Sequence, residues 1–354
     1  MPDTDDIAAL IEGVESFLQE ACPVDRLHKA FDGDEEIAGA IWGGMMELGL
    51  GGVAIPEEYG GLGLGLVGVS MISERIGWAG APGPWLAHTL AGLAITRAGS
   101  DRQKAAWLPR LATGEAVATL ALHELEAWGA DQWTLHPVAD RISGAKDYVM
   151  AADTAAIAIV GLAGGRLGLV DLSDPSVKRE DFIVQDRTRP VSRLVFEETR
   201  IDPLPADFGA GLLDVAAVLV CADAHGGSER SVHDVSEYSN FRVQFGQVIS
   251  QFQAVKHKLA DLALAIYFNG AYYRRVAEQL ETGAPDASLG AALAKALITE
   301  TFSNVARIAT ESYGGIGYTW QHSAHIWLRR AMFDYAWLGA PAAHRRRALE
   351  LIGW

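Results

Sequence analysis

Two short segments hold residues of types and spacings suited to gripping a nucleotide. The first is Asn240-Phe241-Arg242-Val243-Gln244-Phe245-Gly246-Gln247, followed by Gln253. On a helix at about 100° per residue, Arg242, Phe245 and Gln253 would share a sector of roughly 80°. That face would carry a fixed cation, an aromatic plate and an amide. Arg suits a phosphate because its planar fork donates two parallel charge-assisted bonds. Phe can stack on a flat ring, and Gln can bond a base edge or a ribose. The plain alternative is an exposed Arg and Gln flanking a core Phe. The second segment is Glu311-Ser312-Tyr313-Gly314-Gly315-Ile316-Gly317-Tyr318. Its glycines can form a helix cap and turn, or can let backbone N–H groups approach a pyrophosphate unhindered.

Other chemistries lack their usual signals. No H-E-x-x-H, C-x-x-C, G-x-S-x-G or G-x-x-x-x-G-K-[ST] occurs, which removes the support for metal hydrolysis, thiol redox, nucleophile-elbow and P-loop chemistry. Gly63-Leu64-Gly65-Leu66-Val67-Gly68 matches G-x-G-x-x-G, but Pro56 to Gly61 precedes it rather than a strand. No acid lies between Glu74 and Asp101 to hold a ribose, so a dinucleotide site is not expected there. The 29 Lys+Arg against 45 Asp+Glu give a net charge of −16, which argues against a nucleic-acid partner. The basic run His344-Arg345-Arg346-Arg347 reads as a solvated helix face. Two cysteines, Cys22 and Cys221, are too few for a disulfide framework, and a reducing, cytoplasmic setting is expected. No targeting segment or membrane span is expected. Ile76 to Thr96 is free of charge and long enough to span, but Pro82-Gly83-Pro84 divides it into two soluble helices.

Elements that could position these residues follow from periodicity. Ile7, Leu10, Ile11, Val14 and Leu18 make one apolar helical stripe. Further helices are expected over Ile41 to Leu50, Val67 to Ile76 and Lys104 to Leu111. Near residue 116 the pattern changes to β-branched and alternating runs: Ala116 to Leu122, Arg141 to Met150, Ala155 to Val160, Arg166 to Leu172 and Arg193 to Phe196. Gly164-Gly165 separates two of these at hairpin distance. From Gly211 the helical period returns. The chain, 354 residues and 49% hydrophobic, therefore reads as an α+β multidomain protein. It has an N-terminal helical domain (1–118), a middle antiparallel β domain (119–205) and a C-terminal helical bundle (206–354).

Taken together, Arg242-x-x-Phe245-Gly246…Gln253 and Glu311-x-x-Gly314-Gly315-x-Gly317-Tyr318 resemble the acyl-CoA dehydrogenase family of flavoproteins. Met46-Glu47-Leu48-Gly49 with Ile55 to Gly63, Trp107-Leu108-Pro109 with Leu111 to Glu115, and Ser143 to Val149 extend the likeness over nearly the whole chain. The resemblance implies a C-terminal four-helix bundle and α,β-desaturation of an acyl-CoA thioester. A glutamate removes the α-proton, flavin N5 accepts a hydride from the β-carbon, and an electron-transferring flavoprotein takes the electrons from FAD. It also implies an FAD shared across a subunit interface. One subunit holds the flavin ring and the base. Its neighbour contributes Arg242, Phe245, Gln253, Glu311, Gly314 and Gly315 to the adenine–pyrophosphate end.

The chain departs from the family at the ring end. Aligned on Leu328-Arg329 and Gly339, the usual base position holds Leu338. The alternative base position, 26 residues before Arg242, holds Ala216. Asp214 is the nearest acid, on nearly the opposite helix face. The family's Thr-Glu-Pro-x-x-Gly-Ser-Asp stands here as His123 to Ala130, and its Trp-Ile-Thr as Tyr148-Val149-Met150, where a thioether cannot donate to flavin N5 as a hydroxyl can. This one-sided loss resembles the non-base subunit of heteromeric (α2β2) bacterial acyl-CoA dehydrogenases, several of which act on steroid side-chain CoA thioesters. A paralogous base-bearing chain is the partner this implies. The alternatives are a self-sufficient homomer with an unusual base, Glu126 or Asp334, and a flavin-free scaffold.

Overall fold

The computed structural model describes residues 4–125 and 127–354. Glu126, one of the alternative bases, lies outside them. The chain begins with α1 (Thr4–Ala21), α2 (Val24–Phe31), α3 (Glu35–Glu47), α4 (Leu66–Ala79), α5 (Trp85–Ala98) and α6 (Asp101–Ala112). Ile11, Val14 and Leu18 form the buried stripe of α1. Helix α3 stops at Glu47 instead of running to Leu50, because Gly49 turns left-handed and Leu50–Gly52 tightens into a 3-10 turn. The charge-free stretch divides as its prolines require, into α4 and the largely buried α5.

Strands follow: β1 (Ala118–Ala121), β2 (Arg141–Met150), β3 (Ile157–Leu162), β4 (Arg166–Asp171), β5 (Val177–Asp181), β6 (Val191–Arg200) and β7 (Asp202–Pro203). They make two sheets, ordered β1-β3-β4-β7 and β2-β6-β5. Ile142, Val149, Val160, Leu194 and Phe196 belong to the apolar cluster of this domain. The domain is not wholly antiparallel, since β1 pairs parallel with β3, Ala118 opposite Ile157. The intervening chain includes β2, which belongs to the other sheet, and returns to enter β3 in the direction of β1. That crossover geometry has no signature within either strand.

The last part comprises α7 (Gly209–Phe241), a small hairpin of β8 (Val243–Gln244) and β9 (Gln247–Val248), then α8 (Gln253–Ile266), α9 (Asn269–Thr282), α10 (Ala287–Ser312), α11 (Ala324–Ala336) and α12 (Pro341–Leu351). Helix α7 is long and apolar enough to cross a membrane by length and composition, but 83% of its most apolar window is buried inside the protein. It crosses α4 at backbone contact. A Cβ on Gly226 would lie 1.9 Å from Glu74 O, and one on Gly77 would lie 2.1 Å from Asp223 O. The basic run near the C-terminus is not a purely solvated face. His344 is buried, Arg345 pairs with Glu300, and Arg347 reaches Asp214 at 2.7 Å, which pins α12 to α10 and α7.

His88 ties the helical and β parts together. Its Nε2 lies 3.2 Å from Gly51 O and 3.1 Å from Leu111 O, and its Nδ1 accepts from Ala118 N. This arrangement fits a neutral ring, and burial lowers its pKa to about 4. The unfolded chain therefore binds the proton first as pH falls. Stability contributed by neutral His88 is present above about 6.5 and is lost toward about 4, at roughly 1.4 kcal/mol per pH unit. Urea unfolding between pH 7 and 5 should slope less steeply in His88→Gln than in wild type; equal slopes would contradict this.

Candidate functional site

The nucleotide-gripping residues gather at one end of the bundle, but not on one helix. Arg242 ends α7 with extended backbone, Phe245 sits at the tip of the β8–β9 hairpin, and Gln253 opens α8. Phe245 and Gly246 both adopt positive φ, 53° and 81°, and this reverses the chain. The shared-sector expectation is thus replaced by a hairpin that carries Phe245 outward, 94% exposed. A bulky residue held at positive φ with its ring in solvent is a costly conformation, of the kind retained at functional sites. Arg242 and Gln253 are exposed as well, and neither side chain has a hydrogen bond among the described residues.

The glycine turn joins this end through Tyr238, whose ring packs on Tyr313 at 5.0 Å, one residue before Gly314. Gly317 is explained by packing, since a Cβ there would meet Thr310 O at 2.4 Å. Gly315 is not: a Cβ would meet nothing within 4 Å. Its backbone is bare toward open space, as a ligand-approach site requires. Glu311 pairs with Arg307 and lines a groove of about 600 Å³ between α8 and α10, together with Ala254, His257 and Lys258. Arg307 offsets the negative charge that Glu311 would otherwise present to a phosphate.

The ring end is built differently. Ala216 is fully buried in α7, and Leu338 is 5% exposed. Asp214 is occupied by Arg347 and Ser288. Glu124 is bound by Lys146, by the Thr134 hydroxyl and by the Thr134 and Leu135 amides. Around these, His123, Trp128, Tyr148 and Trp337 form an aromatic cluster. His123 lies 4.2 Å from Trp128 and 5.8 Å from Trp337, and Trp128 stacks on Tyr148 at 5.6 Å with planes 16° apart. Burial, reinforced by the Lys146 charge, lowers the His123 pKa to about 3, so its ring is neutral. The sequence reading took these residues as worn motifs and missed that they fill one another's space. The available signal was four aromatic or imidazole residues in the two flavin-facing segments and the base tetrapeptide.

Asp334, the other alternative base, is fully buried. It pairs with Arg189 Nη1 at 2.7 Å inside a buried network of Arg189, Arg330, Asp186 and Asp223. Burial raises its pKa, while Arg330 holds Asp223 low. Glu74, His225 and Glu229 come close enough to suggest a metal. The Glu74 carboxylate is already taken by Arg75, Arg274 and the Tyr273 hydroxyl, and two guanidiniums beside the cluster disfavour a dication. The 63–68 glycine segment leads into the N-terminus of α4, where the Leu66 amide donates to this chain's own Glu281.

A helical domain, a two-sheet β domain and a long-helix bundle, with Arg-x-x-Phe-Gly and Gly-Gly turns at one end, define a flavoprotein dehydrogenase architecture. Residues 4–115 match the acyl-CoA dehydrogenase N-terminal domain, and residues 209–352 match its C-terminal domain. The chain is 31% identical, over 98% of its length and 96% of the relative's, to acyl-CoA dehydrogenase IpdE2 of Mycobacterium tuberculosis. A variant of the Tcur3481-Tcur3483 steroid ACAD superimposes with a TM-score of 0.89 at 28% identity, covering 98% of each chain. Butyryl-CoA dehydrogenase from Megasphaera elsdenii shares the fold, with a TM-score of 0.87 at 22% identity over 99% of each chain. The chain belongs to the acyl-CoA dehydrogenase family, FAD-using oxidoreductases that act on the CH–CH bond of acyl-CoA thioesters.

Proposed function

We propose that this chain is the FAD-donating subunit of a heteromeric, cytoplasmic acyl-CoA dehydrogenase that desaturates a steroid side-chain CoA thioester. It pairs with a paralogous chain that bears the base, and an electron-transferring flavoprotein reoxidises the complex. The observation that carries this reading is the contrast between the two ends. Arg242, Phe245, Gln253 and Gly315 are free and exposed, whereas both base positions are buried and apolar. The steroid class rests on the likeness to the Tcur3481-Tcur3483 steroid ACAD. FAD, when bound, supplies the hydride acceptor. This chain's part is to hold the adenine–pyrophosphate end, with Arg242 on phosphate, Phe245 on a flat ring and the Gly314-Gly315 amides on the diphosphate.

Arg242→Ala in the co-expressed heteromer should leave the chain folded and lower FAD affinity about ten- to a hundredfold, the worth of a charge-assisted bond of roughly 1.5–3 kcal/mol. Arg242→Lys should recover only part, because an ammonium cannot make the fork. Asp140→Ala, on the β domain, should change nothing. The flavin-to-protein ratio after purification is the measurement, and an unchanged ratio in Arg242→Ala would end the donor reading.

A further inference from the structure

We propose that Trp128 shuts, from within, a slot on the β domain shaped for a flat heteroaromatic ring, so that this chain holds no such ring of its own. Identifying the ring with a flavin rests on the reading under Proposed function; the closure itself rests on geometry. Trp128 and Tyr148 are near-parallel plates with centroids 5.6 Å apart. A ring sandwiched between two plates needs about 7 Å, two carbon contacts of about 3.5 Å. Trp128 therefore takes the place that a third ring would need. It is packed in place: His123 lies 4.2 Å from it, and its Cβ stands 3.7 Å from where a Cβ on Gly339 would be.

The surroundings have features that an ordinary core would not need. Leu125, Tyr148 and Leu338 all sit at positive φ, 53°, 55° and 65°, although each is a bulky side chain for which this region is costly. They lie in the three segments that bound the cluster. Tyr148 falls within a register shift of β2 against β6, between Lys146 and Val149, and such bulges re-aim a side chain. Both nitrogens of His123 and the Nε1 of Trp337 are buried without hydrogen-bond partners among the described residues. A purely apolar plug leaves those groups unpaired, whereas a ring with polar edge atoms could pair them. The chamber is thus one side chain away from accepting a flat ring with donor and acceptor edges.

The test uses riboflavin, which has the ring system but no diphosphate for Arg242 to grip. Its fluorescence is titrated with the isolated chain. Wild type and Trp128→Phe should not bind saturably. Trp128→Ala should bind one riboflavin per chain, saturably. If Trp128→Ala fails to fold, Trp128→Leu, which keeps an apolar side chain but removes the plate, should bind riboflavin in the same way. Riboflavin binding equally to wild type and Trp128→Ala would overturn the proposal, as would a folded Trp128→Ala that binds none. Because the probe lacks the diphosphate, either failure is separate from loss of FAD in the Arg242→Ala heteromer.

Discussion

Purified alone and offered acyl-CoA with an artificial electron acceptor, the chain is expected to show no dehydrogenation, and Leu338→Glu is expected not to create it. A general base in reach contributes about 10²–10⁴-fold, and here proton removal also begins the reaction, so its loss should abolish turnover. Ala216 and Leu338 cannot accept a proton, and Asp214 and Asp334 are committed to Arg347 and Arg189. Restoring a carboxylate at 338 does not restore the site. Position 338 is 5% exposed at positive φ, with Trp337 beside it and Trp128 packed near Gly339. A carboxylate there would be desolvated and its pKa raised, with no ring and no thioester brought beside it. Leu338→Glu should therefore lower stability and leave activity at background. Efficient oxidation by the wild-type homomer, or by Leu338→Glu alone, would show that the ring end is serviceable.

The three-part order was legible because helical and alternating periods differ strongly over long runs. Arg141 to Met150 emerges as β2 with the bounds its pattern suggested. The hairpin at 243–248 was not legible, because strands of two residues are too short to show a period. The Arg242, Phe245 and Gln253 types were legible all the same, and the structure brings them together around that hairpin. The parallel β1–β3 pair and the aromatic cluster depend on residues brought together from distant segments. The buried ion network is also long-range, but it left a trace: Asp223 interrupts an apolar run in α7. A charge in the middle of a helix that is otherwise core requires a partner from elsewhere.

That network is where a single substitution should cost the most stability. Arg330 donates to both oxygens of Asp223, to Thr188 Oγ1 at 2.9 Å and to Ala81 O at 3.3 Å. Arg189 donates to Asp186, Asp334 and Arg330 O, with its guanidinium 4.3 Å from the Phe333 ring. One guanidinium thus joins the α4–α5 loop, the segment before β6, α7 and α11. Arg330→Ala would leave buried Asp223 with only Arg189, 3.7 Å away and already paired with Asp186 and Asp334, and would open the space around it; the expected cost is about 3–5 kcal/mol. Arg330→Met should fill the space but still leave Asp223 without the fork that holds both its oxygens, and so recover little. Pairing it with Asp223→Leu removes that buried charge and should return much of the loss, because an apolar pair can replace a buried ion pair. Arg330→Lys should fall between, since a single ammonium cannot replace the fork that holds Asp223 while also reaching Thr188 and Ala81. Urea unfolding of the four variants measures this directly. An Arg330→Ala loss below about 1 kcal/mol, the scale of an exposed pair, would mean that the domains are held together by their apolar contacts alone.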